Sequence, residues 1–308
     1  MTAPAPPSAS APANAPAAPP LPTAGMALMA TAMLSFPLVD GLAKHLALEA
    51  SPYFVAWARY AVASLVVLPF ALAMHGWRLF PRERLGSHFL RTAFLVVAMT
   101  LFYLSMVRVP LATTFSAYFV GPIIAAALSV VILGETMTRR KLLGLVLGFA
   151  GSLVILRPGT GLEPGVIFAF GAGVFYACYL VATRHAAATS DPVPTLLFQC
   201  VVGTVLMTPQ AILTWSLPVG GDAVLPGLLA LYGLLGLSSA ACHFLVILAF
   251  RRADATTLAP LVYLELIGGA LIGYLAFGEV PGLPIVVGAA FIVAGGLVLL
   301  RRRPGAAG

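Results

Sequence analysis

Ten apolar runs follow one another along the chain, near residues 25–45, 52–74, 88–107, 111–133, 141–157, 164–183, 193–215, 226–250, 256–277 and 283–300. A helix needs roughly 20 apolar residues to cross the hydrocarbon core of a bilayer. The runs approach that length, the fifth and last being the shortest. In lipid a backbone has no water to bond, so such a run satisfies its own N–H and C=O groups as a helix. Composition agrees: 60% of residues are hydrophobic and only 9% charged, where a water-soluble domain carries about 25% charge. Lipid, not water, covers most of this molecule. The reading is an all-α integral membrane protein with ten transmembrane helices and no inserted soluble domain.

The basic residues orient the spans. With the N-terminus in the cytoplasm, the inside segments hold Arg78, Arg82, Arg84, Arg91, Arg139, Arg140, Lys141, Arg184, Arg251, Arg252, Arg301, Arg302 and Arg303. The outside segments hold Lys44, Arg108 and Arg157, and Arg59 falls within a span. Thirteen against three is a positive-inside bias that puts both termini in the cytoplasm of a multi-pass protein of the inner (plasma) membrane. The net charge of +7 thus belongs to topology; no basic patch interleaved with aromatics points to nucleic acid. Residues 1–22 read as a disordered Ala/Pro-rich cytoplasmic tail, without the basic start of a signal peptide. Cys178, Cys200 and Cys242 lie inside apolar runs with no metal or disulfide spacing.

The chain also repeats. FYLSMVRVPLATT (102–114) aligns with LVILAFRRADATT (245–257), and Gly134-Glu135 matches Gly278-Glu279 at a spacing of 144. The same spacing pairs Gly144 with Gly288, Gly151 with Gly295 and Arg157 with Arg301, while Lys44-His45 echoes Arg184-His185. Five crossings are an odd number, so the second copy enters the membrane upside down. Residues 25–157 and 164–301 are therefore expected as two inverted five-helix repeats, with a substrate site near the midplane between them.

Paired runs ending in Gly-Glu, each followed by a short glycine-patterned helix, resemble the drug/metabolite transporter superfamily, in its ten-helix branch with paired EamA domains. That family carries a Tyr-x-x-Pro or Tyr-Leu-Glu-Pro element twelve residues before Gly-Glu. Pro122 stands there in the first copy; the second reads Tyr263-Leu264-Glu265-Leu266, where leucine replaces the expected proline, a departure that weakens the case for a proline kink at that point in the ninth helix. FPLVDGLAKHLA (36–47) and WARY (57–60) resemble a branch with an Asp-x-x-x-Lys pair and an arginine in the second helix. The resemblance implies a secondary transporter exporting an amino-acid-like metabolite. The alternatives are uptake of a vitamin or nucleoside-like compound such as riboflavin or S-adenosylmethionine, or a non-transporting membrane scaffold.

Charged groups within spans are costly, which makes them the first functional candidates. Glu265 lies near mid-membrane, about ten residues into its run at about 1.5 Å per residue. It reads as a substrate-amine or proton-binding group, or as a protonated packing group. Asp40 and Lys44, at i and i+4, share a helix face. Arg59 either meets Asp40 or clamps a substrate carboxylate, and Lys44 reads as a snorkelling side chain. Tyr103, Tyr118, Tyr176 and Tyr263 are the expected walls of a substrate cavity, with Phe54 and Trp57 assigned to an interfacial belt. His243 is a second proton-coupling candidate beside Glu265, against a buried, hydrogen-bonded role. Gln199 is a further polar lining candidate. Glu135 and Glu279 read as caps at the water boundary. Pro37, Pro69, Pro122, Pro209 and Pro260 free carbonyls or kink spans. The absence of a G-x-x-x-x-G-K-[ST] loop, H-E-x-x-H or G-x-S-x-G argues against a nucleotide engine or enzyme. No cofactor or metal is expected. The partners are a small organic metabolite and the bilayer, the protein acting as a monomer or homodimer.

Overall fold

The computed structural model describes residues 23–47, 50–106, 108–109, 111–156, 164–187, 190–214, 225–277 and 280–300. The tail 1–22, Arg157, Gly278-Glu279 and Arg301–Arg303 lie outside the described residues, as does the Lys44 side chain. Every regular element among them is helical. The first three spans are α1 (Thr23–Leu46), α2 (Pro52–His75) and α3 (Leu85–Met106). The fourth is split into α4 (Leu111–Tyr118) and α5 (Gly121–Leu133), and the fifth is α6 (Arg139–Leu156). The second half repeats this order with α7 (Val166–Ala187), α8 (Pro192–Leu213) and α9 (Leu225–Arg252). Its fourth span is again split, into α10 (Ala255–Leu258), a 3-10 segment (Ala259–Tyr263) and α11 (Leu264–Phe277), before α12 (Leu283–Leu300). Eight helical segments are by themselves long and apolar enough to cross a bilayer. The divided fourth span and α6 bring the number of spans to ten.

Prolines explain the breaks unequally. Pro122 opens α5 and has no N–H to continue the ladder from α4. In the second half α11 runs straight through Leu266, and the break falls earlier, where Pro260 opens the 3-10 segment. Pro37, Pro69 and Pro209 sit inside unbroken helices.

The packing obeys a twofold. α1 packs on α9 and α11, and its repeat mate α7 packs on α3 and α5; α2 packs on its own mate α8, and α6 on its mate α12. The last pair gives the direction. A Cβ added at Gly144 would sit 3.1 Å from the carbonyl oxygen of Gly295, and one at Gly295 would sit 2.8 Å from that of Gly144. One at Gly151 would meet the Gly288 oxygen at 2.6 Å. As the number rises on α6 it falls on α12, so the repeat mates cross antiparallel and the two halves are inverted. Only glycine permits this approach, which small residues promote where lipid gives helices no hydrophobic reason to associate. On the axis, Phe119 and Tyr263, themselves 144 apart, touch with ring centroids at 5.8 Å, and Tyr263 Oη donates to the Phe119 carbonyl at 3.1 Å.

Candidate functional site: a charged recess between the halves

On α1, Met29, Met33, Phe36 and Asp40 fall on one face at helical spacing, and the first three are buried. Leu34 and Leu38 point to the exposed, lipid side. Asp40 therefore faces inward, yet its side chain is 48% exposed. That exposure opens onto a recess inside the bundle. Arg59 on α2 reaches the same place: its side chain is 6% exposed, and Nη1 lies 3.7 Å from Asp40 Oδ1. Arg59 Nε donates to Ser239 Oγ of α9 at 2.6 Å, and Nη2 approaches His243 Nε2 at 3.4 Å.

Hydrogen-bond logic extends the site. A guanidinium only donates, so His243 Nε2 accepts and Nδ1 carries the proton. Nδ1 faces Tyr179 Oη at 3.4 Å, and Tyr179 in turn donates to Gln199 Oε1 at 3.4 Å. A string of hydrogen bonds thus runs from Arg59 through His243 and Tyr179 to the accepting Oε1 of Gln199, across α2, α9, α7 and α8.

Glu265 stands at the start of α11, just past the 3-10 segment, half-buried and within electrostatic range of Asp40, Arg59, Tyr118 and Tyr176. The divided spans set this position: the ninth span breaks where the carboxylate enters the bundle centre. Tyr118 and Tyr176 pair at 5.3 Å between centroids, Tyr176 stacks on Tyr179 at 5.9 Å, and Tyr103 lies in electrostatic range of Arg59 and Asp40. Asp40, Arg59, Glu265, Tyr103, Tyr118, Tyr176 and His243 are therefore brought together. Tyr263 lies apart on the axis, with no exposed surface. Trp57 donates to Thr208 Oγ1 at 3.1 Å across the contact between α2 and α8.

Two features escaped the sequence reading. Ser239 and Tyr179 carried no signal separating them from ordinary span residues. Arg91, counted with the inside segments, is instead fully buried within α3, because that helix begins at Leu85 and Arg91 comes nearly two turns in. Its depth in the bundle is invisible to a count of loop charges.

The arginine-rich end of the bundle is closed by a network joining both halves. Glu135, 7% exposed, accepts from Arg184 Nε at 3.2 Å and from the Ala255 and Thr256 amides at 3.0 and 2.8 Å. It thus caps α10, a helix of the other half. Arg184 also binds Asp254 Oδ1 at 2.9 Å and the Phe250 carbonyl at 2.6 Å. Lys141 Nζ completes the set, binding Asp254 Oδ2 at 3.2 Å and Thr256 Oγ1 at 2.8 Å. In the repeat alignments Leu111 stands opposite Asp254, and Ile285 opposite Lys141. The opposite end lacks those two charges.

Among the described residues no group of three His, Cys, Asp or Glu side chains is placed to hold a metal. Two inverted bundles around a charged, aromatic recess form the architecture of a secondary carrier. The EamA-like transporter family matches this chain twice, over residues 23–157 and 163–301. An S-adenosylmethionine uptake transporter of Rickettsia felis is 28% identical over 85% of this chain and 87% of its own. A riboflavin transporter of Vibrio cholerae is 25% identical (88% and 91%), and a pseudopaline exporter of Pseudomonas aeruginosa 24% identical (91% and 97%). A solved crystal structure shares the fold with a TM-score of 0.78 at 20% identity, over 89% of this chain and 96% of its own. The chain belongs to the EamA-like transporter family, among the drug/metabolite transporters, and is a multi-pass metabolite transporter.

Proposed function

We propose that the carrier moves an amino-acid-bearing organic zwitterion by alternating access around the recess. The observation that carries this reading is the inward-facing, half-exposed Asp40 paired with a buried Arg59, with a second carboxylate, Glu265, in electrostatic range. Arg59 binds the substrate carboxylate through its planar fork. Asp40 and Glu265 bind the ammonium group, and Tyr103, Tyr118 and Tyr176 hold the flat or apolar remainder. Glu265 and His243 are the groups for proton coupling. The arginine-rich end lies in the cytoplasm, with both termini there and the protein in the inner membrane. The amino-acid resemblance by itself points to export. The likeness to S-adenosylmethionine uptake transporters supports uptake, since that metabolite joins an amino acid to a nucleoside. Uptake of such a compound is the reading adopted.

The test is counterflow of labelled S-adenosylmethionine in proteoliposomes, with Arg59→Leu and Glu265→Gln beside the wild type. Flux should appear in the wild type and fall at least tenfold in both variants, as expected for loss of about 1.4 kcal/mol or more of binding. Undiminished flux in both variants removes the site, and no wild-type flux removes the substrate.

A further inference from the structure

Arg91 is among the largest fully buried side chains in the molecule. It projects from α3 toward α7 and α8. Its one hydrogen bond among the described residues runs from Nη2 to the Thr195 carbonyl at 3.1 Å, and its guanidinium lies over the Tyr179 ring at 6.0 Å. Nε and Nη1 have no partner among the described residues. No carboxylate among them lies within ion-pair distance; its electrostatic neighbours are Tyr179, Cys200, Tyr60, His88 and His243. An arginine in a protein stays charged, and an uncompensated charge inside a membrane bundle is costly enough to mark function.

The surroundings share the same deficit. Gln199 Nε2, on α8, is also buried without a partner. Gln199 Oε1 is occupied by Tyr179, the last link of the string that begins at Arg59. The unmet groups at this spot are thus mostly donors: Arg91 Nε–H, Arg91 Nη1–H and the Gln199 amide. The Thr195 hydroxyl, unpartnered as well, can donate or accept. What this group needs is an acceptor with several lone pairs, and a carboxylate meets the need. The site lies on the arginine-rich side of the recess, toward which the hydrogen-bonded string leads.

We propose that Arg91, with Gln199 and Thr195, is a second anion subsite that receives the carboxylate of the cargo when the carrier opens toward its arginine-rich end. This rests on the reading above that the cargo carries a carboxylate. Arg59 receives the anion while the arginine-rich end is sealed. The string through His243 and Tyr179 links the two positions, so the carboxylate passes from one arginine to the other as the halves rock.

Two measurements on the full chain test this. The first is thermal unfolding in detergent without added solute. Arg91→Met retains the bulk and removes the unpaired charge, so it should unfold at the wild-type temperature or higher. A fall of several degrees would mark Arg91 as a structural strut and overturn the proposal. The second is exchange of labelled S-adenosylmethionine offered from the arginine-rich side of oriented vesicles, with its decarboxylated analogue as comparison. Arg91→Met should raise the half-saturating concentration at least tenfold for the carboxylate-bearing probe and leave the analogue unchanged. Arg91→Lys, a point charge without the fork, should fall between. Equal half-saturation in wild type and Arg91→Met overturns the subsite. Should the wild type carry neither probe, the substrate assignment fails instead, and the unfolding temperature alone decides the subsite.

Discussion

Replacing Glu135 with glutamine tests how the bundle stays shut at its arginine-rich end. The carboxylate accepts three bonds, from Arg184 Nε and from the amides of Ala255 and Thr256, and is 7% exposed. Hydrogen bonds to a charged group contribute about 1.5–3 kcal/mol each. Glutamine keeps one acceptor oxygen, so it retains part of the cap on α10 but loses the charge facing Arg184. A net loss of about 2–4 kcal/mol follows. These bonds join the two halves; under the alternating access proposed above they break when this end opens, so the loss falls on the closed form alone. At about 1.4 kcal/mol per factor of ten, the closed-to-open ratio should drop by roughly 30- to 1000-fold. The assay is alkylation of a single cysteine placed at Ser129, a fully buried position on α5 below the network, after replacing Cys178, Cys200 and Cys242. Glu135→Gln should raise the alkylation rate at least tenfold. Asp191→Asn, which weakens the half-exposed pair with His75 and keeps an oxygen for the Val193 amide at the start of α8, should not. An unchanged rate in Glu135→Gln, with the unfolding temperature preserved, would refute the role of this network as a seal.

The contact between α6 and α12 gives a second prediction. Gly151→Ala places a methyl 2.6 Å from the Gly288 carbonyl oxygen, so the helices must separate, and thermal unfolding should show a loss of about 1–3 kcal/mol. Gly233→Ala, with nothing within 4 Å of the added carbon, should be neutral or gain up to about 1 kcal/mol from helix propensity. In the recess, Ser239→Ala removes the 2.6 Å bond that holds the Arg59 side chain. A lost hydrogen bond to a charged group costs the folded state about 1.5–3 kcal/mol, so the unfolding temperature should fall, and with Arg59 less firmly held the half-saturating substrate concentration should rise.

How far the chain could be read before folding differs from residue to residue. The spans were legible because lipid offers the backbone no partner, and a long apolar run has a helix as its only stable state. The inversion was legible because five is odd and the glycines recur at one spacing. Asp40, Arg59 and Glu265 stood out because charge is rare at that depth. What the linear order leaves open is rotation and tilt. Whether the fourth span runs unbroken, or how far along α3 Arg91 sits, depends on where a proline interrupts the ladder and where a helix begins. Glu135 reads from the sequence as a cap at the water boundary, and only the approach of α10 from the other half makes it a bridge between them. The hydrogen-bonded string from Arg59 to Gln199 needs four helices turned to one line, and no local pattern records that. Composition and periodicity thus determined a ten-span inverted-repeat bundle with charges at its centre. Interhelical packing, which acts between residues far apart in the chain, decided which of those charges meet.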